Sequence, residues 1–230
     1  VLGQRVSETL PKFMQDLQHL RHLQAAWANH KITHRTAQLL ALAERIEANK
    51  PELAAAVCME VGRCLRECEA EIDKTVDLIR YYAKLAPELL DSKTITTQAS
   101  LSQVRFEPLG VVLAVMPWNY PVWQIMRFAV PALCAGNACL VKPAPSVAQV
   151  TAKLMALVDE TMPLHASYIE HDLIETAIEH ADAMAFTGST DTGRYLASLA
   201  GKHIKKCVLE LGGSNAVIVL DDADVEQAAH

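Results

Sequence analysis

Three stretches of this chain carry residue types that could do chemistry. The first is Lys206-Cys207-Val208-Leu209-Glu210-Leu211-Gly212-Gly213-Ser214, which sets a carboxylate after an apolar pair and ahead of two glycines. A glutamate at a strand end, partly withdrawn from water, is suited to take up a proton as a general base; the bland alternative is a surface carboxylate. The second is Met116-Pro117-Trp118-Asn119-Tyr120-Pro121. Asn119 follows an apolar run and precedes a proline that suits the first turn of a helix, so its amide can donate to an oxygen gaining negative charge. Alone it would read as a turn or capping asparagine. The third is Phe186-Thr187-Gly188-Ser189-Thr190, with Gly193 beyond it. Gly188, Ser189 and Gly193 stand between a strand and a helix, where bare backbone N–H groups and a positive helix end can receive a pyrophosphate. The Gly188 to Gly193 spacing mimics a P-loop, but Arg194 and Tyr195 occupy the places of its lysine and its serine or threonine, which excludes that reading.

Trp123 and Arg127 lie one helical turn apart and share a face. A guanidinium there can grip a carboxylate bidentately, or it can serve a structural ion pair. Among the six cysteines, Cys207 is read as a buried thiol on the face of a strand opposite Glu210. Cys58, Cys64, Cys68, Cys134 and Cys139 are read as packing residues, since no ligand pairs stand at zinc-site spacing.

The elements that must position these residues follow from apolar patterning. Leu10 to about Leu90 is helical, with Leu39, Leu42 and Ile46, then Ala54, Val57 and Val61, at three- and four-residue spacing. Pro51 marks a new helix start. From Thr94 to Phe106 the residues turn polar and β-branched, as in an extended hairpin. Four short apolar runs follow, Val111 to Met116, Ala138 to Val141, Ala183 to Phe186 and Ala216 to Leu220, separated by helical stretches. Runs apolar on both faces and alternating with helices predict a doubly wound, mainly parallel α/β sheet that binds its ligand at the strand carboxyl ends.

With 230 residues, 51% hydrophobic, the chain can bury a real core. A net charge of −6 argues against nucleic acid. The longest weakly polar stretch, Ala129 to Val141, contains Pro131, Gly136 and Asn137 and falls short of the roughly 20 apolar residues of a membrane span. The sparse cysteines point to a reducing compartment, with cytoplasm as the expected location.

The three motif blocks, in this order, resemble the aldehyde dehydrogenase superfamily. The run from Pro117 to Arg127 is most like the succinate-semialdehyde dehydrogenases. The resemblance implies a Rossmann-like fold whose helical lead covers residues 1–93, followed by an oligomerisation hairpin over 94–107. It places a dinucleotide-binding domain over 108–210 and the start of a catalytic domain at 211–230. It implies NAD or NADP as cofactor, an aldehyde substrate and a homo-oligomer, dimer or tetramer. Asn119 would hold the oxyanion and Glu210 would activate water against a thioester on a cysteine expected beyond His230. Trp118, Lys142, Pro145, Gly188, Ser189, Gly193, Leu211 and Gly212 would line the cofactor, with Lys142 at the adenosine ribose. Pro145 stands where some NAD-preferring relatives carry glutamate, which leaves NADP open. Trp123 and Arg127 would line the substrate channel. The pattern departs from the family between Pro163 and Ala183, where Leu164-His165-Ala166-Ser167-Tyr168 lacks the usual glycines. The alternative reading is a non-catalytic dinucleotide-binding or scaffold relative.

Overall fold

A computed structural model describes residues 8–229. Four helices come first: α1 (Leu10–Asn29), α2 (Ile32–Ala48), α3 (Lys50–Val61) and α4 (Leu65–Leu89). Prolines occupy the first turns of α1 and α3, where a missing N–H costs nothing. Gly62, at φ +83°, ends α3 in the left-handed conformation. In α4, Cys68, Ile72, Val76, Ile79, Ala83 and Ala86 form a buried stripe at helical spacing. The hairpin expected over 94–106 is a two-stranded antiparallel ribbon, β1 (Lys93–Thr94) with β2 (Gln103–Val104).

The rest is an α/β sheet. Its elements are β3 (Val111–Val115), α5 (Pro121–Cys134), β4 (Ala138–Lys142), α6 (Ala148–Met155), β5 (Leu164–Ala166), α7 (Ile174–His180), β6 (Ala183–Gly188), α8 (Thr190–Lys202) and β7 (Lys206–Leu211), with α9 (Val225–Ala228) beyond. The strand order is β5-β4-β3-β6-β7, every pair parallel. The chain winds outward from β3 through β4 to β5, then returns to the far side of β3 for β6 and β7. This is the doubly wound arrangement the apolar runs predicted. Ala114, Cys139, Val141 and Ala185 pack with α2–α6 on one face. Val111, Leu113, Leu140, Met184 and Phe186 pack with α1, α7 and α8 on the other.

Three details correct the reading from sequence. Residues 216–220 form no strand: the run lies outside regular structure, and Val217 and Ile218 are 80% and 84% exposed. An apolar β-prone run needs a hydrogen-bonding partner, and no described strand pairs with it. The strand on that side of the sheet is β7, whose edge position leaves Cys207 exposed rather than buried. Cys64, at the start of α4, is exposed as well, whereas Cys68, Cys134 and Cys139 are buried. The stretch after Pro163 builds its short strand without a glycine, with Leu164 and Ala166 buried against β4 and the Ser167 N–H donating to the Val141 carbonyl at 2.8 Å. No helix among the described residues is long and apolar enough to cross a membrane.

Candidate functional site at the carboxyl edge of the sheet

Because the strands are parallel, their carboxyl ends meet at one edge. Val115 pairs with both Lys142 and Phe186, and Thr187 and Gly188 pair with Glu210 and Leu211. The turn carrying Asn119 leaves that edge from β3. Asn119 is exposed, its Oδ1 accepts the N–H of Tyr120 at 3.1 Å, and no described residue accepts from its Nδ2. One donor is therefore presented at the strand ends. Trp118, 56% exposed, stands beside it.

Three helices of eight residues or more begin at this edge, and their starts differ. At α5 the Glu71 carboxylate accepts the N–H groups of Val122 and Trp123, at 2.9 and 3.0 Å. At α6 the Glu60 carboxylate accepts those of Gln149 and Val150, at 2.9 and 2.8 Å. Both positive helix ends are thus occupied by carboxylates from the helical lead. At α8 only Ser189 caps, accepting from Thr192, and no described side chain accepts from the N–H groups of Thr190 or Asp191. Gly188 closes β6 directly before this cap. Gly193 is buried where Leu211 packs onto α8, and a Cβ there would overlap the leucine side chain. A Cβ on Gly212 would meet nothing within 4 Å. Among these helices α8 alone keeps its N-terminus open for an anion. That start, with space beside Gly212, fits a dinucleotide's pyrophosphate; Asp191 in the first turn is paired at 2.7 Å with Arg194.

Lys142 closes β4 with only 7% of its surface exposed. Burial pulls its ammonium below the ordinary lysine value, and the charge of Glu170 pulls partly back. Pro145 opens a single 3₁₀ turn after β4 and is exposed.

Glu210 and Arg127 are brought together, a pairing that sequence reasoning did not anticipate. Arg127 Nη2 lies 3.1 Å from Glu210 Oε2, with 41% and 54% of the two side chains exposed. Glu210 is thus more open to water than the partly buried base expected from sequence; among the described residues β7 is the edge strand of the sheet. Trp123, one turn before Arg127, has the Lys74 ammonium 4.0 Å from its ring centroid. Arg127 and Glu210 both line a groove of about 640 Å³ shared by α5, β6 and β7. Its walls include Gln124, Phe128, Val112 and Val208. Glu71 and Glu60 were also missed; the only sequence signal for Glu71 is a carboxylate set into the apolar stripe of α4 between Cys68 and Thr75.

The model of the aldehyde dehydrogenase family matches residues 13–230. A probable succinate-semialdehyde dehydrogenase [NADP(+)] of Synechocystis is 39% identical over 97% of the chain and 49% of that protein. A succinate semialdehyde dehydrogenase [NAD(P)+] of Escherichia coli is 35% identical over 93% and 48%. The crystal structure of succinic semialdehyde dehydrogenase from Streptococcus pyogenes, in complex with NADP+, superposes with a TM-score of 0.92 at 30% identity, covering 99% of this chain and 51% of that one. The chain spans about half the length of the curated relatives it matches. With the family's model covering all but its first twelve residues and its fold shared with solved members, the chain belongs to the aldehyde dehydrogenase family.

Proposed function

We propose that this chain is the cofactor-binding part of an NAD(P)-dependent aldehyde dehydrogenase that oxidises succinate semialdehyde to its carboxylate. The observation that carries the reading is the convergence at one sheet edge of the open α8 N-terminus, the Asn119 amide and the Arg127–Glu210 pair. In this reading the N–H groups at the start of α8 hold the pyrophosphate, with Gly188, Ser189 and Gly193 shaping the turn and Leu211 and Gly212 bounding the space beside it. Lys142 and Pro145 lie toward the adenosine end, and the absence of a carboxylate at Pro145 accommodates a 2′-phosphate. The bound cofactor supplies a hydride acceptor.

The chain's own residues divide the remaining work. Asn119 Nδ2 donates to the oxygen that becomes anionic when a cysteine beyond residue 230 adds to the aldehyde. Glu210 takes a proton from the water that releases the acid. Arg127 holds the carboxylate at the far end of the substrate, exchanging its contact with Glu210 for one with substrate and thereby freeing the base. Trp123 walls the same channel. The short ribbon of β1 and β2 is assigned to assembly of a homo-oligomer, and the cytoplasm is the proposed location.

Titration with NADP+ and NAD+ tests the cofactor half of this reading directly. Saturable binding of either is expected, and Gly212→Leu should weaken it at least about tenfold without unfolding the protein, because its side chain enters open space. Binding of neither dinucleotide would contradict the assignment; binding without aldehyde turnover in the natural full-length protein would favour a non-catalytic relative.

A further inference from the structure

Glu71 is a fully buried carboxylate, with no part of its side chain exposed, and it belongs to the helical lead rather than to the sheet. One oxygen accepts the N–H groups of Val122 and Trp123 in the first turn of α5. The other forms an ion pair with Arg63, which lies in the short loop between α3 and α4. The Arg63 guanidinium in turn covers the ring of Tyr120, 4.0 Å from its centroid. Tyr120 directly follows Asn119, and its own N–H fixes Asn119 Oδ1. Glu71, Arg63 and Tyr120 therefore form a clamp that grips the chain on the C-terminal side of Asn119, at the first turn of α5 and at the adjoining ring.

Stability is a poor account of this clamp. A buried ion pair gains little over apolar residues of the same volume, and this one leaves Arg63 Nε and Nη1 buried without a hydrogen-bond partner. At α6 the same capping task is done by Glu60, which is only half-buried and has no guanidinium partner. What the α5 clamp adds is a hold on Tyr120. We infer that Glu71, acting through Arg63 and Tyr120, is a positioning residue that sets the direction of the Asn119 side-chain amide. The inference rests on the reading of Asn119 as the oxyanion donor, and it gives the helical lead a task at the site beyond packing and helix capping.

The test is a double-mutant cycle in the natural full-length protein, with succinate semialdehyde and saturating NADP+. Glu71→Ala is expected to lower kcat about 100-fold while KM moves within about threefold, the signature of lost orientation rather than lost binding. In the Asn119→Ala background the same substitution should cost no more than about twofold, because the group it positions is gone. Costs that multiply in full, or a kcat unchanged by Glu71→Ala, would overturn the inference. Glu71→Gln keeps an oxygen for the two N–H groups while losing the ion pair, and it is expected to fall between wild type and Ala; it also serves if the alanine variant fails to fold. A second readout needs no turnover. In Glu71→Ala and Glu71→Gln the NMR signal of the Asn119 side-chain amide should shift, and in the alanine variant the Val122 and Trp123 amides should exchange faster. An Asn119 signal identical to wild type in both variants refutes the clamp. Absence of aldehyde oxidation by the wild-type protein refutes the proposed function instead, and the NMR signals then decide the clamp alone.

Discussion

Arg127 and Glu210 hold opposite charges 3.1 Å apart on separate elements, both largely in contact with water. Such a pair contributes at most about 1 kcal/mol, so Arg127→Gln should leave the melting temperature nearly unchanged. If Arg127 grips the substrate, the same variant raises KM for a carboxylate-bearing aldehyde about tenfold or more and leaves an uncharged aldehyde of equal length within about threefold. Steady-state kinetics on both aldehydes separates this from a structural ion pair, which would move neither. The cysteines give a second expectation at this scale. Burial raises the Cys134 thiol to about 11 and the Cys139 thiol further, while Cys64 and Cys207 are exposed. The native protein at mildly alkaline pH should therefore show rapid labelling at Cys64 and Cys207 by a thiol reagent, with Cys134 and Cys139 protected until denaturant is added; peptide mapping reads this directly. Rapid labelling of Cys139 in the folded protein would contradict the packing described.

The elements themselves were largely legible in the sequence, since short runs apolar on both faces and alternating with helices fit strands of a covered parallel sheet, and the helical lead announces itself by its stripe and its proline starts. What was not legible is what links the elements. Glu71 reaches the start of α5 across 51 residues and Glu60 reaches α6 across 89, and no local pattern records such a hydrogen bond. The run at 216–220 fails for the complementary reason: β propensity says a strand is possible, whereas a partner decides whether it forms. At the site, the residue types and their common edge were legible from strand ends alone, but the Arg127–Glu210 contact depended on how far the Arg127 side chain reaches from α5, which packs on β3 and β4, toward β7. Two stability predictions belong here. Glu60→Ala strands two N–H groups at the start of α6 and should cost about 1–2 kcal/mol in denaturant unfolding. Gly110 sits at φ +123° with the Asp182 carboxylate, which accepts the Val111 N–H at 2.8 Å, directly where a Cβ would be; Gly110→Ala should cost about 1–3 kcal/mol.

Over the whole molecule, the two cores are unequal in what they leave open. The face of β6 and β7 beside α5 forms the groove, and Val208 on it is 64% exposed, as are Val217 through Leu220 to between 50% and 84%. The helices on the other face are tied across their ends: Glu175 of α7 accepts from Lys202 of α8 at 2.6 Å and lies 3.2 Å from His203. These contacts, Lys202 first, hold the Glu175 carboxyl below its ordinary 4.5. The sign follows: the tie is fully present above the unfolded glutamate value and is lost as pH falls through the lowered one. Amide protection in α7, relative to the intrinsic exchange rate at each pH, should accordingly fall in acid before protection in β3 and β4 does. The central claim, that the edge gathering Asn119, Glu210 and the α8 start serves aldehyde oxidation, is tested most directly by following NADP+ and NAD+ reduction by the natural full-length protein given succinate semialdehyde. The account predicts aldehyde-dependent reduction that falls about 100-fold or more in Asn119→Ala and in Glu210→Gln; tight dinucleotide binding with no reduction by the wild-type protein would contradict it.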